Sequence, residues 1–388
     1  MADIKTTIVN SPAAISFAGN PLIYAVATTK SLGTEESFLR IVCKFTFSLN
    51  GNVGWYQGNV DFSDELSQPV RNYGGTSFNL SDAAQTLIRN VQSSIDMNGD
   101  APLPPYGLIA NVSFRTVWIF DNQEFSRGEV DAPKLYIIPG ALTDYERILK
   151  EGDSLTDLLS QGRFMTRKPN GGILYKNETL ILPTIRYKED LSNSSSGIAQ
   201  GTFTVGGSYT QPAANIEFNK LDYQTVDVSD YFTDGDFTFS SSYGGSLSGY
   251  FRTNTHGVHF LRFINGFGAV ENISVRSKDK LSYEVSGETH SLVQGATTRP
   301  TDRRYATKSQ PAGVYELSSG YVPKKWAEWF VQELLTSPRV WIQLGGKWVP
   351  ALIEAEDDCV IYDRTKPEMP HVDFTLRLAI DGVTGCTW

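Results

Sequence analysis

The stretch Gly257-Val-His-Phe-Leu-Arg-Phe-Ile-Asn-Gly-Phe-Gly-Ala-Val-Glu-Asn-Ile-Ser-Val275 decides the fold. It reads as two β-type runs, 258–264 and 269–275, joined by Asn265-Gly266-Phe267-Gly268. Asn-Gly predicts a tight primed turn, because both residues tolerate positive φ, and the second glycine can absorb a bulge. In the first run Val258, Phe260 and Ile264 share one face, while His259, Leu261 and Phe263 share the other. Apolar groups on both faces place the hairpin inside a sheet covered on both sides. It is expected to form the core of the second half of the chain.

Outward from the hairpin, the same period of two recurs. Over 38–49, Leu39, Ile41, Cys43, Phe45, Phe47 and Leu49 alternate with Arg40, Lys44, Thr46 and Ser48. Over 106–120, Leu108, Ala110, Val112, Phe114, Trp118 and Phe120 fall on one side. Long half-buried strands of this kind build antiparallel sandwiches. The chain has 18 Tyr, 21 Phe and 34 Gly against 4 Met, which favours strands and turns over helices. At 388 residues it is too long for one ordinary core. The expected fold is therefore mainly β, with two antiparallel β-sandwich-like domains and a few short helices. The domains are expected at 1–190 and 202–388, joined by a linker at 191–201 that carries the polar run Ser192-Asn-Ser-Ser-Ser-Gly197.

Four helical patterns interrupt the strands. Leu80, Ala84, Leu87, Ile88, Val91 and Ile95 recur at helical spacing behind Ser81 or Asp82 as cap. An insert at 139–172 holds two short helices, one around Tyr145, Ile148 and Leu149 and one around Leu155, Leu158 and Leu159. At 323–336, Trp326, Trp329, Phe330 and Leu334 form an apolar face, with Lys324, Lys325, Glu328 and Glu333 set away from it. Two tryptophans on one face require that helix to be docked.

Charge and motifs narrow the function. A formal net charge of −9 leaves no general basic surface, so nucleic acid and anionic membrane are poor partners. No apolar run of 18 residues predicts membrane insertion, and the start has no basic segment leading into an apolar one, so synthesis in the cytosol without cleavage is expected. Cys43, Cys359 and Cys386 are too scattered for a disulfide framework or metal knuckle. His256 and His259 fall on opposite strand faces. Asp96 to Asp100 reads as a helix exit rather than a calcium loop, Asp230, Asp234 and Asp236 as an acidic turn rather than a cation site, and Glu354, Glu356, Asp357 and Asp358 as a hairpin tip rather than a glycosidase-like carboxylate pair. No catalytic, cofactor-binding or metal-ligating residue is assigned, and no enzymatic activity is expected. Trp55, Tyr56, Tyr243 and Tyr250 are aromatics that either stack on sugars or pack.

Four passages carry a resemblance. They are Ser16-Phe-Ala-Gly-Asn-Pro-Leu-Ile-Tyr24; Gly162-Arg-Phe-Met-Thr-Arg-Lys-Pro169 followed by 180–182; Phe260-Leu-Arg-Phe-Ile-Asn-Gly-Phe-Gly-Ala-Val-Glu271; and 329–350 with Leu334-Leu-Thr-Ser-Pro-Arg-Val-Trp341. In these the chain resembles structural tail and baseplate proteins of tailed phages and prophages in gut bacteria. The resemblance implies a virion scaffolding subunit of distal-tail type, built in the host cytoplasm and acting by shape. Its partners would be copies of itself in a ring and other tail or baseplate proteins. Intersubunit contacts are expected from the 139–172 insert, with Tyr145 and Arg163, and from 297–323, with Arg303, Arg304 and Tyr305. The alternative is a glycan-binding adhesin using an aromatic cleft on a β-sandwich face, with a host-surface glycan as partner. A polysaccharide-cleaving enzyme would instead need two carboxylates about 5–10 Å apart.

Overall fold

The computed structural model describes residues 4–50, 61–70, 74–92, 107–149, 155–160, 162–193, 196–284, 287–291, 304–308, 312–354 and 370–379. The chain is mainly β, and its sheets pack in a sandwich-like way. In the first body, a three-stranded sheet (Thr6–Asn10, Ile23–Thr28, Gly75–Asn79) faces a larger one centred on Glu36–Asn50 and Gly107–Phe120. Tyr24, Phe45, Phe47, Phe78 and Phe114 fill the space between them. Helix α1 (Ser81–Gln92) adds Ala84 and Ile88 to that core, and Asn79 Oδ1 accepts the Ser81 N–H at its start.

The second body crosses the expected linker. Thr179–Ile185 pairs with Leu221–Asp227 over seven residues, and Gly172–Tyr175 runs parallel to Gly245–Arg252. Ser196–Val205 is itself a strand, at the centre of a sheet with Gly235–Ser241 and Ser208–Thr210. The segment 191–201 therefore does not separate two folding halves. Its alternation is hidden because two of its inward positions are the small residues Ala199 and Gly201. A Cβ on Gly201 would lie 2.8 Å from the Phe239 ring, so smallness there is a packing requirement rather than a mark of disorder.

The third body is a closed barrel: Val258–Ile264, Val270–Glu284, Ala312–Ser318, Asp373–Leu378, Lys347–Glu354 and Val340–Leu344. The opening hairpin supplies its first two strands, in unbroken register from Val258 opposite Arg276 to Ile264 opposite Val270. Leu261 and Phe263 face the barrel core, while Phe260 and Ile264 pack outward. Both faces are covered, as the alternation of the hairpin predicts.

The turn differs from the expected primed type. Of its four residues only Gly268 has positive φ, at 74°, and Gly268 N donates to Asn265 O at 2.8 Å. Asn265 is there for its side chain, which is buried and fully bonded.

Helix α2 (Asp144–Leu149) and helix α3 (Leu155–Ser160) lie where the apolar spacing placed them. Helix α4 (Lys324–Trp329) runs into a π-helical turn, Phe330–Leu335. Trp326, Trp329, Phe330 and Leu334 dock on the barrel. Glu333, assigned above to the polar face, is instead 4% exposed. A π turn takes more residues per revolution than an α turn, so the face read from 3.6-residue spacing rotates out of register across it.

Phe120 stays on the face of buried Phe114, Thr116 and Trp118, as its alternation predicts, but it sits at the hairpin tip and is 40% exposed there.

Candidate functional site

The three bodies meet on the turn at 265–268. Phe267, Ala269 and Val270 share one apolar cluster with Phe17 and Ile138 of the first body and Ile181 and Tyr223 of the second. Polar groups lock the same place. Asn265 Nδ2 donates to Met165 O at 2.8 Å and to Glu271 Oε1, and Asn265 Oδ1 accepts the Phe267 and Ala269 N–H groups. Gly266 N donates to Glu333 Oε2, and Ala141 N donates to Gly266 O. Arg167 donates to Glu333 Oε1 at 2.6 Å, to both Glu146 oxygens and to Ala141 O, with its guanidinium 4.1 Å from the Phe267 ring centroid. The buried polar atoms are matched donor to acceptor, which is the condition for such a junction to be rigid.

Two further carboxyls lie beneath it. Glu178 accepts from the Ser274 hydroxyl and the Tyr175 N–H, and burial pushes its pKa up. Burial pushes Glu271 up to about 7, against the opposing pull of Lys168 and of its hydrogen bond from Asn265. The folded state therefore holds the Glu271 proton over a range where an unfolded carboxyl, near 4.5, has lost it. That stabilisation is complete below pH 4.5 and is lost as pH rises through 7, on the order of 3 kcal/mol. Glu271→Gln keeps an acceptor for Asn265 and removes the titration. Urea unfolding from pH 4.5 to 8 is expected to show a flatter stability profile for the variant, with Glu178 leaving a residual slope of the same sign. A profile unchanged from the parent would contradict this account.

The junction is structural machinery; the convergent polar side chains open to solvent lie elsewhere. Asp234, Tyr250, Arg252, Asn254, His256 and Arg276 line a cleft of about 260 Å³. The fold assembles it from two bodies. Tyr250 and Arg252 end a strand of the second body, and Asp234 immediately precedes the strand paired with it. Asn254 and His256 lie in the crossing to the barrel, and Arg276 sits opposite Val258 on the hairpin. A larger cleft of about 520 Å³ runs between α1 and the hairpin turn, but its wall is mostly apolar or glycine backbone, with Arg89 and Arg339 at its edge. The smaller cleft is the better candidate for specific recognition, because placed polar groups fix a ligand's orientation.

The expected interface residues are dispersed. Tyr145 on α2 is 71% exposed. Arg163 is half-buried on a short strand paired with Ile185. Arg304 and Tyr305 lie on Arg304–Lys308, paired with Gly287–Ser291, and Arg303 lies outside the described residues. Much of the 139–172 insert is turned inward, with Gly140, Ala141, Met165 and Arg167 all at the junction. Of the aromatics, Tyr250 is in the cleft, Tyr243 lies under the Arg186 guanidinium at 4.2 Å, and Trp55 and Tyr56 lie outside the described residues. Asp234 receives both the N–H and the hydroxyl of Thr253, and Glu354 pairs with Arg377. Asp96 to Asp100, Glu356, Asp357, Asp358, Cys359 and Cys386 lie outside the described residues. Cys43 is a core residue whose thiol burial pushes up to about 12. Sequence reading missed Arg252 and Arg276, since a lone arginine on a strand has the same pattern whether it faces solvent or a cleft.

No helix among the described residues is long and apolar enough to cross a membrane. No family model matches the chain, and no curated protein matches it. Among solved structures, a Salmonella alpha-2-macroglobulin is similar over 81% of this chain and 25% of that chain, at 7% identity and a TM-score of 0.23. The chain thus spans a quarter of that protein's length. A bacterial ice-binding adhesin of 1.5 MDa is similar over 81% of this chain and 92% of that chain, at 10% identity and a TM-score of 0.19. Neither likeness carries an argument about function.

Proposed function

We propose that the protein is a virion structural subunit, a distal-tail-like adaptor of a phage tail or baseplate that works through contacts with its own copies and with neighbouring tail proteins. The observation that supports this reading is an aromatic tip on the first body. Phe38 is 74% exposed and holds φ at 55°, inside a bulge between Ser37 and Arg40. For a bulky residue that conformation costs roughly 1–2 kcal/mol. At the same end of the sheet, Asp121 and Asn122 both have positive φ and form the tight turn of a hairpin. That turn leaves Phe120 and Phe125 exposed with rings 6.2 Å apart. Backbone strain spent on holding aromatic rings in water is explained by a partner that covers them. Heterologous contacts of this kind close into rings.

The full-length protein is expected to form closed oligomers in native mass spectrometry. Phe38→Asp combined with Phe125→Asp is expected to reduce them to monomer with the melting temperature nearly unchanged. A parent protein monomeric at all concentrations, or a variant that assembles normally, would refute the proposal. The location that follows is the virion tail, after assembly in the bacterial cytoplasm.

A second reading, a glycan-binding module, is favoured by the cleft around Tyr250, which combines an exposed ring with amide, carboxylate and guanidinium groups. Catalytic turnover is not part of either reading.

A further inference from the structure

The cleft contains more positive than negative charge, in a molecule whose net charge is −9. Among the described lining residues Arg252 and Arg276 accompany a single carboxylate, and that carboxylate is partly occupied: Asp234 Oδ1 accepts the Thr253 N–H at 2.7 Å and the Thr253 hydroxyl at 2.6 Å. Among the described residues neither guanidinium forms an ion pair. Arg252 lies with its guanidinium carbon 5.8 Å from the Tyr250 ring centroid. Arg276 donates Nε and Nη2 to the Tyr175 hydroxyl, each at 3.2 Å, which holds the group in one orientation. Asn254 Oδ1 accepts the His256 N–H at 3.0 Å, so its amide N–H₂ remains as a donor.

We propose that this cleft binds a carboxylate-bearing saccharide, a uronic or sialic acid unit. The proposal rests on the second reading above and names its ligand class. Planar guanidinium groups match a carboxylate through paired hydrogen bonds. Tyr250, 39% exposed, offers a face for a sugar ring, and Asp234 Oδ2 accepts from a ring hydroxyl. A volume of about 260 Å³ is below the ~300 Å³ at which pockets for drug-sized ligands begin, so the cleft fits one sugar residue rather than an extended chain.

The test is binding of methyl glycosides to the full-length protein by ligand-observed NMR and calorimetry. The probes are methyl glucuronide, methyl galacturonide and the methyl glycoside of N-acetylneuraminic acid. Methyl glucoside serves as the uncharged match, and sodium acetate and phosphate as anions without a ring. At least one acidic glycoside is expected to bind, and methyl glucoside at least tenfold more weakly. Arg252→Gln and Arg276→Gln are each expected to weaken the acidic ligand about tenfold, and Tyr250→Ala to weaken it while leaving the unfolding midpoint in place. If methyl glucoside binds equally well, the acid preference is wrong and the glycan reading survives. Acetate or phosphate binding as tightly as the sugars would reduce the cleft to an anion site and overturn the proposal. If no glycoside binds, both the proposal and the reading beneath it fail.

Discussion

Gly140→Ala is expected to destabilise the protein by about 3–5 kcal/mol. Gly140 has φ of 83°, and a Cβ there would lie 2.1 Å from the carbonyl carbon of Phe267 and 2.3 Å from its Cα. The obstacle is backbone, so no rotamer change relieves it. The backbone in question belongs to the turn that all three bodies share, so relief requires them to part. Gly171→Ala separates strain from overlap: Gly171 has φ of 90°, but a Cβ there would meet nothing within 4 Å. Its cost is expected to be the conformational one alone, about 1–2 kcal/mol. Urea unfolding of the two variants side by side is the measurement. Equal losses would mean that the junction yields where the structure has it tightly packed.

Arg167→Ala is expected to cost a similar 3–5 kcal/mol, because it leaves the Glu333 carboxylate buried without its partner. The Glu333 side chain is 3% exposed, and beyond Arg167 it has the Gly266 N–H as hydrogen-bond partner. The loss is thus dominated by stranding a charge rather than by deleting a favourable pair. It follows that Arg167→Met with Glu333→Gln, which removes both charges and keeps the volume, is expected to recover most of the loss. A double variant as unstable as Arg167→Ala would show that the guanidinium's bonds to Glu146 and Ala141 outweigh the desolvation argument. Exposed pairs such as Arg40 with Glu124 are expected to contribute less than about 1 kcal/mol when either partner is changed.

How far these features were legible depends on their range along the chain. The register of the 258–275 hairpin, the long strands around residues 43 and 112, and helices α1 to α3 follow from periodicity within a dozen residues, and periodicity is visible in a sequence. The strand at Ser196–Val205 was misread as a linker because Ala199 and Gly201, on its inward face, look like loop residues until Phe239 is known to lie over Gly201. Glu333 was misread because the helix changes pitch beneath it. The cleft was half legible: Tyr250 was recognisable as a sugar-facing candidate and Asp234 as part of an acidic turn. Arg276 joins them only because the hairpin strand swings past the end of the second body.

The sequence by itself determined that the chain is β-rich, that Trp326 and Trp329 mark a docked helix, and that the 258–275 hairpin is covered on both faces. These are statements about a segment and its own side chains. Only the tertiary structure decided that the strands divide into two sandwich-like bodies and a barrel, that Phe38 is left largely in water and Phe125 partly so, and that Arg167 meets Glu333 across 166 positions of sequence. The physical reason is that a charged or aromatic side chain is stabilised or strained by whatever surrounds it. For these residues the surroundings are assembled from distant parts of the chain.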